Sequence, residues 1–378
     1  MRRLRVLLCE PYFAGSHRSW AEGFAEHSAH DVALVTHAGG FWKWRMQGAA
    51  LTIAAEIDSL VRSWGRPDVL LTSDMVHLPA LLGLARTPLD GVPVVLYMHE
   101  NQLTYPLPEG AAPDYTYAIT NWLSMAAADR VVFNSEYHRT EVFAPRPKLL
   151  KRFPDYRHLD QIERVRDASC VLPVGVELDR FAPNGRQREG PPVLLWNHRW
   201  EYDKDPEACF AALAEVAARD IPFRVIVAGE TFRTVPEVFT QGCRELGERV
   251  IHFGMASEEE YPRLVAQADI AVSTSKHEFF GVSVVEAIAG GALPLLPDRL
   301  SYPELVPTPE PFLYETREDL VEKLSWALLR SEERALAAKR ARAYIERFSW
   351  PVVACCYDEL LVGLNQSEDG RGCSSQTS

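Results

Sequence analysis

The sequence predicts an α/β protein built from two doubly wound parallel sheets, and three observations carry that expectation. Strand-like apolar runs alternate with helical runs, the pattern of a parallel sheet covered on both faces. The alternation stops at Pro183–Pro192, a stretch rich in Gly, Pro and charge, and then restarts. A length of 378 residues suits two such units, each able to bury its own core.

Leu4–Cys9 reads as a buried first strand. Met1-Arg2-Arg3-Leu4 before Val6-Leu7-Leu8 imitates a leader peptide, but Glu10 and Pro11 cut the apolar run short. A helix at Ser19–Ser28, a strand at Val32–Thr36 and a helix at Thr52–Trp64 follow. Val69–Thr72 and Val94–Met98 read as strands, the second after the turn Gly91-Val92-Pro93. Asn121–Ala127 is helical, Arg130–Asn134 a strand, and Leu172–Val176 the last strand of the first half. Beyond the linker, strands are expected at Val193–Trp196, Phe223–Ala228, Val250–Phe253, Ile270–Ser273 and Leu293–Leu296. Helices are expected at Pro206–Arg219, Ser257–Ala268, Val282–Ala289, Arg317–Arg330 and Glu332–Arg347, with Ser257 and Glu260 as a capping box. This gives a first Rossmann-like domain at 1–182 and a second at 190–347. A segment at 348–365 is expected to return to the first domain, and 366–378 to be a disordered tail. Ligands of such sheets sit beyond the carboxyl ends of the strands, so a cleft between the two domains is the expected site.

Composition narrows the function. The hydrophobic share of 47% and charged share of 24% are those of an ordinary globular chain. No apolar run reaches the length of a membrane span. Seven cysteines without metal-ligand spacing suggest reduced thiols and a cytoplasmic setting. A net charge of −12 argues against general nucleic-acid binding but leaves room for a local basic groove. Arg139, Arg146, Lys148, Lys151, Arg152, Arg157, Arg164 and Arg166 are its candidates, against the plainer alternative of a solvated loop.

The stretch His277-Glu278-Phe279-Phe280-Gly281-Val282-Ser283-Val284-Val285-Glu286 sets two carboxylates around a helix start. Backbone N–H groups from Gly281 to about Val284 are free there and offer a seat for a diphosphate. Glu286 is flanked by Val284, Val285, Ala287 and Ile288, where a charge needs a partner or a ligand. Arg199 and Lys204 lie between a strand and a helix that opens at Pro206, placed to meet an anion. Asp203 and Asp205 imitate a metal-binding pair, but Asp205 is better read as the helix N-cap and no metal is expected. In the first half, Gly15, Ser16 and His17 form a turn between strand and helix, while His99, Glu100 and Asn101 end the strand Val94–Met98. A histidine there suits proton or hydrogen-bond traffic.

Taken together, the Glu278/Glu286 spacing, the Arg199/Lys204 pair and the Gly15 turn resemble the retaining glycosyltransferases of the GT-B fold. The strings EPYFAGSH, MHENQLTYP, WNHRWEYDKDP, HEFFGVSVVEA and LLPDRLSYPEL resemble more narrowly the tRNA-queuosine alpha-mannosyltransferase group, over about Leu4 to Leu305. The resemblance implies two Rossmann-like domains facing across a cleft, an acceptor side first and a donor side second. It implies transfer of mannose from GDP-mannose to the queuosine of tRNA-Asp, with no cofactor and no metal. Arg199 and Lys204 would neutralise the diphosphate, and N–H groups of Phe280, Gly281 and Val282 would complete its seat. Glu286 would hold the ribose and Glu278 the transferred sugar, while His99 would lie against that sugar. Gly15 and Ser16 would face the donor phosphate. His17, Glu100, Asn101, Lys151 and Arg152 would serve the acceptor. The alternatives are a GT-B enzyme acting on a glycan, lipid or small metabolite, a sugar-nucleotide epimerase, and a tRNA- or nucleotide-binding protein without turnover.

Overall fold

The computed structural model describes residues 2–106, 114–183, 190–230 and 235–369, with side chains placed as far as residue 366. Most of the expected linker and all of the expected tail beyond Asp369 lie outside the described residues. The chain divides into two compact units, one of residues 1–175 with 350–378 and one of residues 176–349.

The first unit opens with β1 (Arg5–Phe13), α1 (Gly15–His27), β2 (Asp31–Ala38), α2 (Trp42–Trp64), β3 (Val69–Ser73) and α3 (Leu78–Leu84). It continues with β4 (Val94–Met98), α4 (Thr116–Ala127), β5 (Arg130–Phe133), α5 (Glu136–Phe143), α6 (Arg146–Leu150), α7 (Asp160–Asp167) and β6 (Ser169–Val171). The six strands are parallel in the order β2-β1-β3-β4-β5-β6. Helices cover both faces, so β3 and β4 are buried at every position, which explains their unbroken apolar runs.

The second unit repeats the plan with β7 (Val193–Asn197), α8 (Pro206–Ala218), β8 (Arg224–Ala228), α9 (Glu237–Leu246), β9 (Val250–Gly254) and α10 (Tyr261–Gln267). Then come β10 (Ile270–Val272), α11 (Val282–Ala289), β11 (Leu293–Pro297), β12 (Leu313–Tyr314), α12 (Arg317–Leu329) and α13 (Ser331–Tyr344). Its sheet is again six-stranded and parallel, in the order β12-β11-β10-β7-β8-β9.

A final helix, α14 (Trp350–Asp369), belongs to the first unit. Trp350 is buried against the backbones of Gly23 and Gly175, where a Cβ would stand 2.1 and 2.3 Å from its ring. Asp358 of α14 accepts hydrogen bonds from Ser28 Oγ and Ala29 N at the end of α1. This helix carries the chain through residues 366–369, which the sequence assigns to the tail.

Other boundaries differ for local reasons. The last strand of the first sheet is Ser169–Val171 and not Leu172–Val176. Leu172 N still pairs with Phe133 O, but Pro173 has no N–H to continue the ladder. The second unit begins at Val176, because the turn Leu178–Phe181 packs on α10 and α11, with Phe181 edge-on to Tyr261. Ser257 accepts the N–H of Glu260 in the turn before α10, so the helix proper starts later than the capping pattern suggests. Six cysteines are free thiols among the described residues, and no described helix is long and apolar enough to cross a membrane.

Candidate functional site

In the second unit the candidate groups sit on loops that leave the carboxyl ends of neighbouring strands β7 and β10. Such ends converge because every strand of a parallel sheet points the same way. Lys204, buried after β7, donates to His277 O at 2.9 Å and to Glu278 Oε2 at 3.3 Å. Its Nζ also lies 3.3 Å from the Asp203 carboxylate. Burial alone would discharge this lysine, but Glu278 and Asp203 reverse that and hold its pKa above the ordinary value. Burial likewise works against the Glu278 carboxylate, but the charge and hydrogen bond of Lys204 override it and hold its pKa low. Both groups are therefore ionised. His198, beside them, is pushed down to about 3 by burial and by Lys204, so it is a neutral imidazole. Arg199 is more open, its side chain 42% exposed and 3.7 Å from Glu201.

Gly281 sits at the N-cap of α11 with φ +101°, a left-handed conformation that a side chain rarely takes. Its carbonyl accepts from Val284 N and Val285 N, which leaves Val282 and Ser283 as first-turn amides. The amides of Phe279 and Phe280 instead lie 3.2 and 3.5 Å from Glu278 Oε1. The Phe280 amide expected in a diphosphate seat is thus turned to Glu278 in this structure.

Glu286 lies one turn into α11, half-buried. It accepts from Tyr261 Oη at 2.7 Å, and Tyr261 accepts from Asn197 Nδ2 at 3.0 Å. Asn197 also holds Ser283 O at 2.9 Å, tying the end of β7 to the first turn of α11. Burial raises the Glu286 pKa to about 7 against the bond from Tyr261. Asp205 occupies the predicted N-cap position of α8 but does not cap it. Its backbone is left-handed at φ +50°, whereas a capping side chain needs an extended backbone. Its carboxylate pairs with Lys276 at 3.0 Å.

In the first unit the corresponding ends are those of β1 and β4. Gly15, at φ +52°, starts α1 directly after β1, and its Cβ position faces open space. Ser16 is exposed beside it, and Ala14 provides no side-chain cap. His17 turns inward, where its Nδ1 meets Glu10 Oε2 at 3.1 Å. Burial disfavours the charged ring, but Glu10 prevails and raises the His17 pKa to about 9. The His99 ring lies against His17 with centroids 3.9 Å apart and planes tilted by 30°, and its Nε2 lies 3.8 Å from Glu10. Burial and the His17 charge push the His99 pKa well down, so this pair is one imidazolium and one neutral imidazole. Glu10, His17 and His99 each bring a ligand-type atom within 4.8 Å of the others. A protonated His17 has no lone pair to offer a cation. Asp74 accepts from His99 N at 3.0 Å, and burial raises its pKa to about 7.

Glu100 is half-buried beside this group. Asn101 is fully buried and spends its Oδ1 on the amides of Leu103 and Thr104, which makes it the shaper of the loop. The basic segment is only partly a groove. Lys151 and Arg152 are exposed after α6, with Arg152 stacked on Tyr115. Arg146 is fully buried, donates to Ala118 O and lies over Trp122, so it is a structural cation and not part of a surface track. Arg166 is engaged by Glu163, and Arg139 by Glu136 and Ser169.

Several of these residues escaped the sequence reading. Asp74, Asn197 and His198 are polar residues at or just past strand ends, the same signal that marks His99, while Glu10 is a charge inside the apolar β1. Tyr261 carries no such signal, because its partner Glu286 is brought to it by the fold.

Comparison with known proteins shows the family and the fold. Residues 5–176 match the family model described as tRNA-queuosine alpha-mannosyltransferase N-terminal, and residues 179–344 match glycosyl transferases group 1. A tRNA-queuosine alpha-mannosyltransferase of Drosophila melanogaster is 33% identical over 331 residues, 84% of this chain and 85% of its own. A GDP-mannose:cellobiosyl-diphosphopolyprenol alpha-mannosyltransferase of Xanthomonas oryzae is 27% identical over 61% of this chain and 57% of its own. Among solved structures, a sucrose-phosphate synthase from Thermosynechococcus elongatus superposes with TM-score 0.72 at 17% identity, covering 97% of this chain and 100% of its own. An Anabaena protein solved with UDP and glucose gives TM-score 0.69 at 17% identity, covering 95% and 100%. These two likenesses establish the two-domain α/β architecture of the GT-B fold.

Proposed function

This chain belongs to the tRNA-queuosine alpha-mannosyltransferase family and is a glycosyltransferase, and we propose that it moves mannose from GDP-mannose to the queuosine of tRNA-Asp. The observation that carries the donor half is the buried ion pair of Lys204 with Glu278, beside the left-handed Gly281 that opens α11. A buried cation held between carboxylates is a poor stabilising device, since burial costs about as much as attraction returns. Placed at strand ends beside an exposed arginine, it suits a ligand that carries both phosphate and hydroxyls.

In this reading Arg199, Lys204 and the first amides of α11 hold the diphosphate and stabilise the charge that develops as the C1–O bond breaks. Glu278 accepts hydrogen bonds from the transferred sugar, and Glu286 from the ribose. The acceptor hydroxyl attacks C1 from the face that the diphosphate leaves, and a phosphate oxygen takes its proton. Neutral His99, held by the His17–Glu10 pair, hydrogen-bonds a sugar hydroxyl. Gly15 and Ser16 offer backbone amides to phosphate, while His17, Glu100, Asn101, Lys151 and Arg152 belong to the acceptor side. No metal takes part in this reading, and the setting is cytoplasmic.

Glu278→Gln tests it. GDP-mannose binding, measured by calorimetry, is expected to persist while transfer falls at least a hundredfold. Transfer at the wild-type rate would remove Glu278 from the sugar site.

A further inference from the structure

Tyr261 opens α10 and stands between the end of β7 and the first turn of α11, and its hydrogen bonds run in one direction only. Asn197 Nδ2 reaches two oxygens, Ser283 O at 2.9 Å and Tyr261 Oη at 3.0 Å. A carbonyl can only accept, so the nitrogen of the Asn197 amide and not its oxygen faces Ser283. That nitrogen can only donate, so Tyr261 accepts from it and keeps its single hydrogen for Glu286 Oε2, 2.7 Å away. The chain therefore passes from Asn197 to Tyr261 to Glu286 and cannot reverse.

The ring that carries this hydrogen is held in place. Phe181 stands edge-on to it with centroids 5.8 Å apart. Arg180 Nη2 donates to Glu258 O at 2.9 Å, in the turn just before α10, and Ser257 accepts the Glu260 amide in the same turn. Tyr261 is thus fixed from β7, from the turn Leu178–Phe181 and from its own helix start.

The consequence falls on Glu286. Its Oε2 is spent on Tyr261, which sets the plane of the carboxylate and leaves Oε1 to meet a ligand. A simple tie between α10 and α11 would work in either direction, and it would gain nothing from a carboxylate, which costs more to desolvate than a neutral partner. A fixed donor instead keeps Glu286 an acceptor and aims the oxygen that remains.

We propose that Tyr261 is a positioning residue for Glu286, aiming its second carboxylate oxygen at a hydroxyl of the donor's ribose and so setting a preference for ribonucleotide over deoxyribonucleotide. This rests on the proposed ribose contact of Glu286 and adds the group that aims it.

Calorimetry with GDP and 2′,3′-dideoxy-GDP tests the role, on wild type, Tyr261→Phe and Glu286→Ala. The dideoxy nucleotide keeps base and diphosphate and lacks only the ribose hydroxyls. Wild type is expected to bind GDP at least about tenfold more tightly than the dideoxy nucleotide, the worth of one hydrogen bond to a charged group. Tyr261→Phe keeps the ring and its contact with Phe181. It should narrow the ratio to about threefold or less by weakening GDP alone, and an unchanged affinity for dideoxy-GDP certifies its fold. With GDP-mannose as substrate the same variant should raise KM and leave kcat within about twofold, as loss of a contact made equally in ground and transition states does. A ratio narrowed by Glu286→Ala but not by Tyr261→Phe overturns the positioning role and leaves the ribose contact standing. Equal weakening of both nucleotides by Tyr261→Phe makes Tyr261 a support of the whole site and overturns the role as well. A wild-type ratio near one, or a ratio untouched by Glu286→Ala, overturns the ribose contact and the role together.

Discussion

Replacing Lys204 by Met should expose how much the donor cluster depends on one cation. Lys204 Nζ lies 3.3 Å from a carboxylate oxygen of Asp203 and 3.3 Å from one of Glu278. At that separation each pair attracts by about 5 kcal/mol at an effective dielectric near 20, most of which desolvation offsets. The cost of the variant comes from what is left behind. The Glu278 side chain is 21% exposed and can turn toward water, but that of Asp203 is 1% exposed and cannot. An orphaned buried charge costs about 3–5 kcal/mol. For a unit of this size that lowers the melting temperature by roughly 6–20 °C. The loss should depend on pH with a definite sign. Glu278 has a depressed folded pKa, so its contribution is present above its ordinary value of 4.5 and fades as pH falls through the folded value. The gap to wild type should therefore be full at pH 8 and shrink once pH falls below 4.5, as at about pH 3.5. Asp203→Asn in the Lys204→Met background should recover part of the loss. Urea melts at both pH values measure all of this. A loss under about 1 kcal/mol at pH 8, or an equal loss at both, would refute the view that the lysine neutralises a buried pair.

In the proposed donor site, Glu286, with its pKa raised from 4.5 to about 7, accepts ribose hydroxyls best as a carboxylate. The donor KM should fall as pH rises through about 7 with kcat little changed, and Glu286→Gln should flatten that profile; a dependence that survives in the variant would assign it to another group. The raised pKa also means that Glu286 contributes less to folding as pH climbs from 4.5 through 7. Gly175→Ala would place a methyl 2.3 Å from the Trp350 ring. Overpacking of that kind costs about 1–3 kcal/mol, read as a lower melting temperature that Trp350→Leu partly relieves. A neutral Gly175→Ala would mean that α14 is docked by other contacts.

Strand positions were legible because a strand buried on both faces must be an unbroken apolar run, as in Leu70–Leu71 and Val94–Met98. Helices were harder where apolar spacing is diluted. α2 starts at Trp42 and not at Thr52, since its first turns expose Lys43 and Trp44. α14 escaped because its anchor, Trp350, finds its seat on Gly23 and Gly175, far away in sequence. In the site, Lys204, Glu278 and Glu286 were visible as charges among apolar residues or at helix starts. The partners that define their chemistry were not. Tyr261 on Glu286 and His17 on Glu10 are long-range or inward-turned contacts, and no local pattern announces them. The same holds for Arg146, whose place in the basic segment gives no sign that it is buried beside Trp122.

The most direct test of mannosyl transfer to queuosine is a mass measurement. Purified protein is incubated with GDP-mannose and tRNA-Asp, with and without queuosine, and the tRNA is digested to nucleosides. One hexose increment is expected, on queuosine alone. GDP-mannose bound to the protein with no increment on either tRNA would contradict it and leave only the fold and the donor site standing.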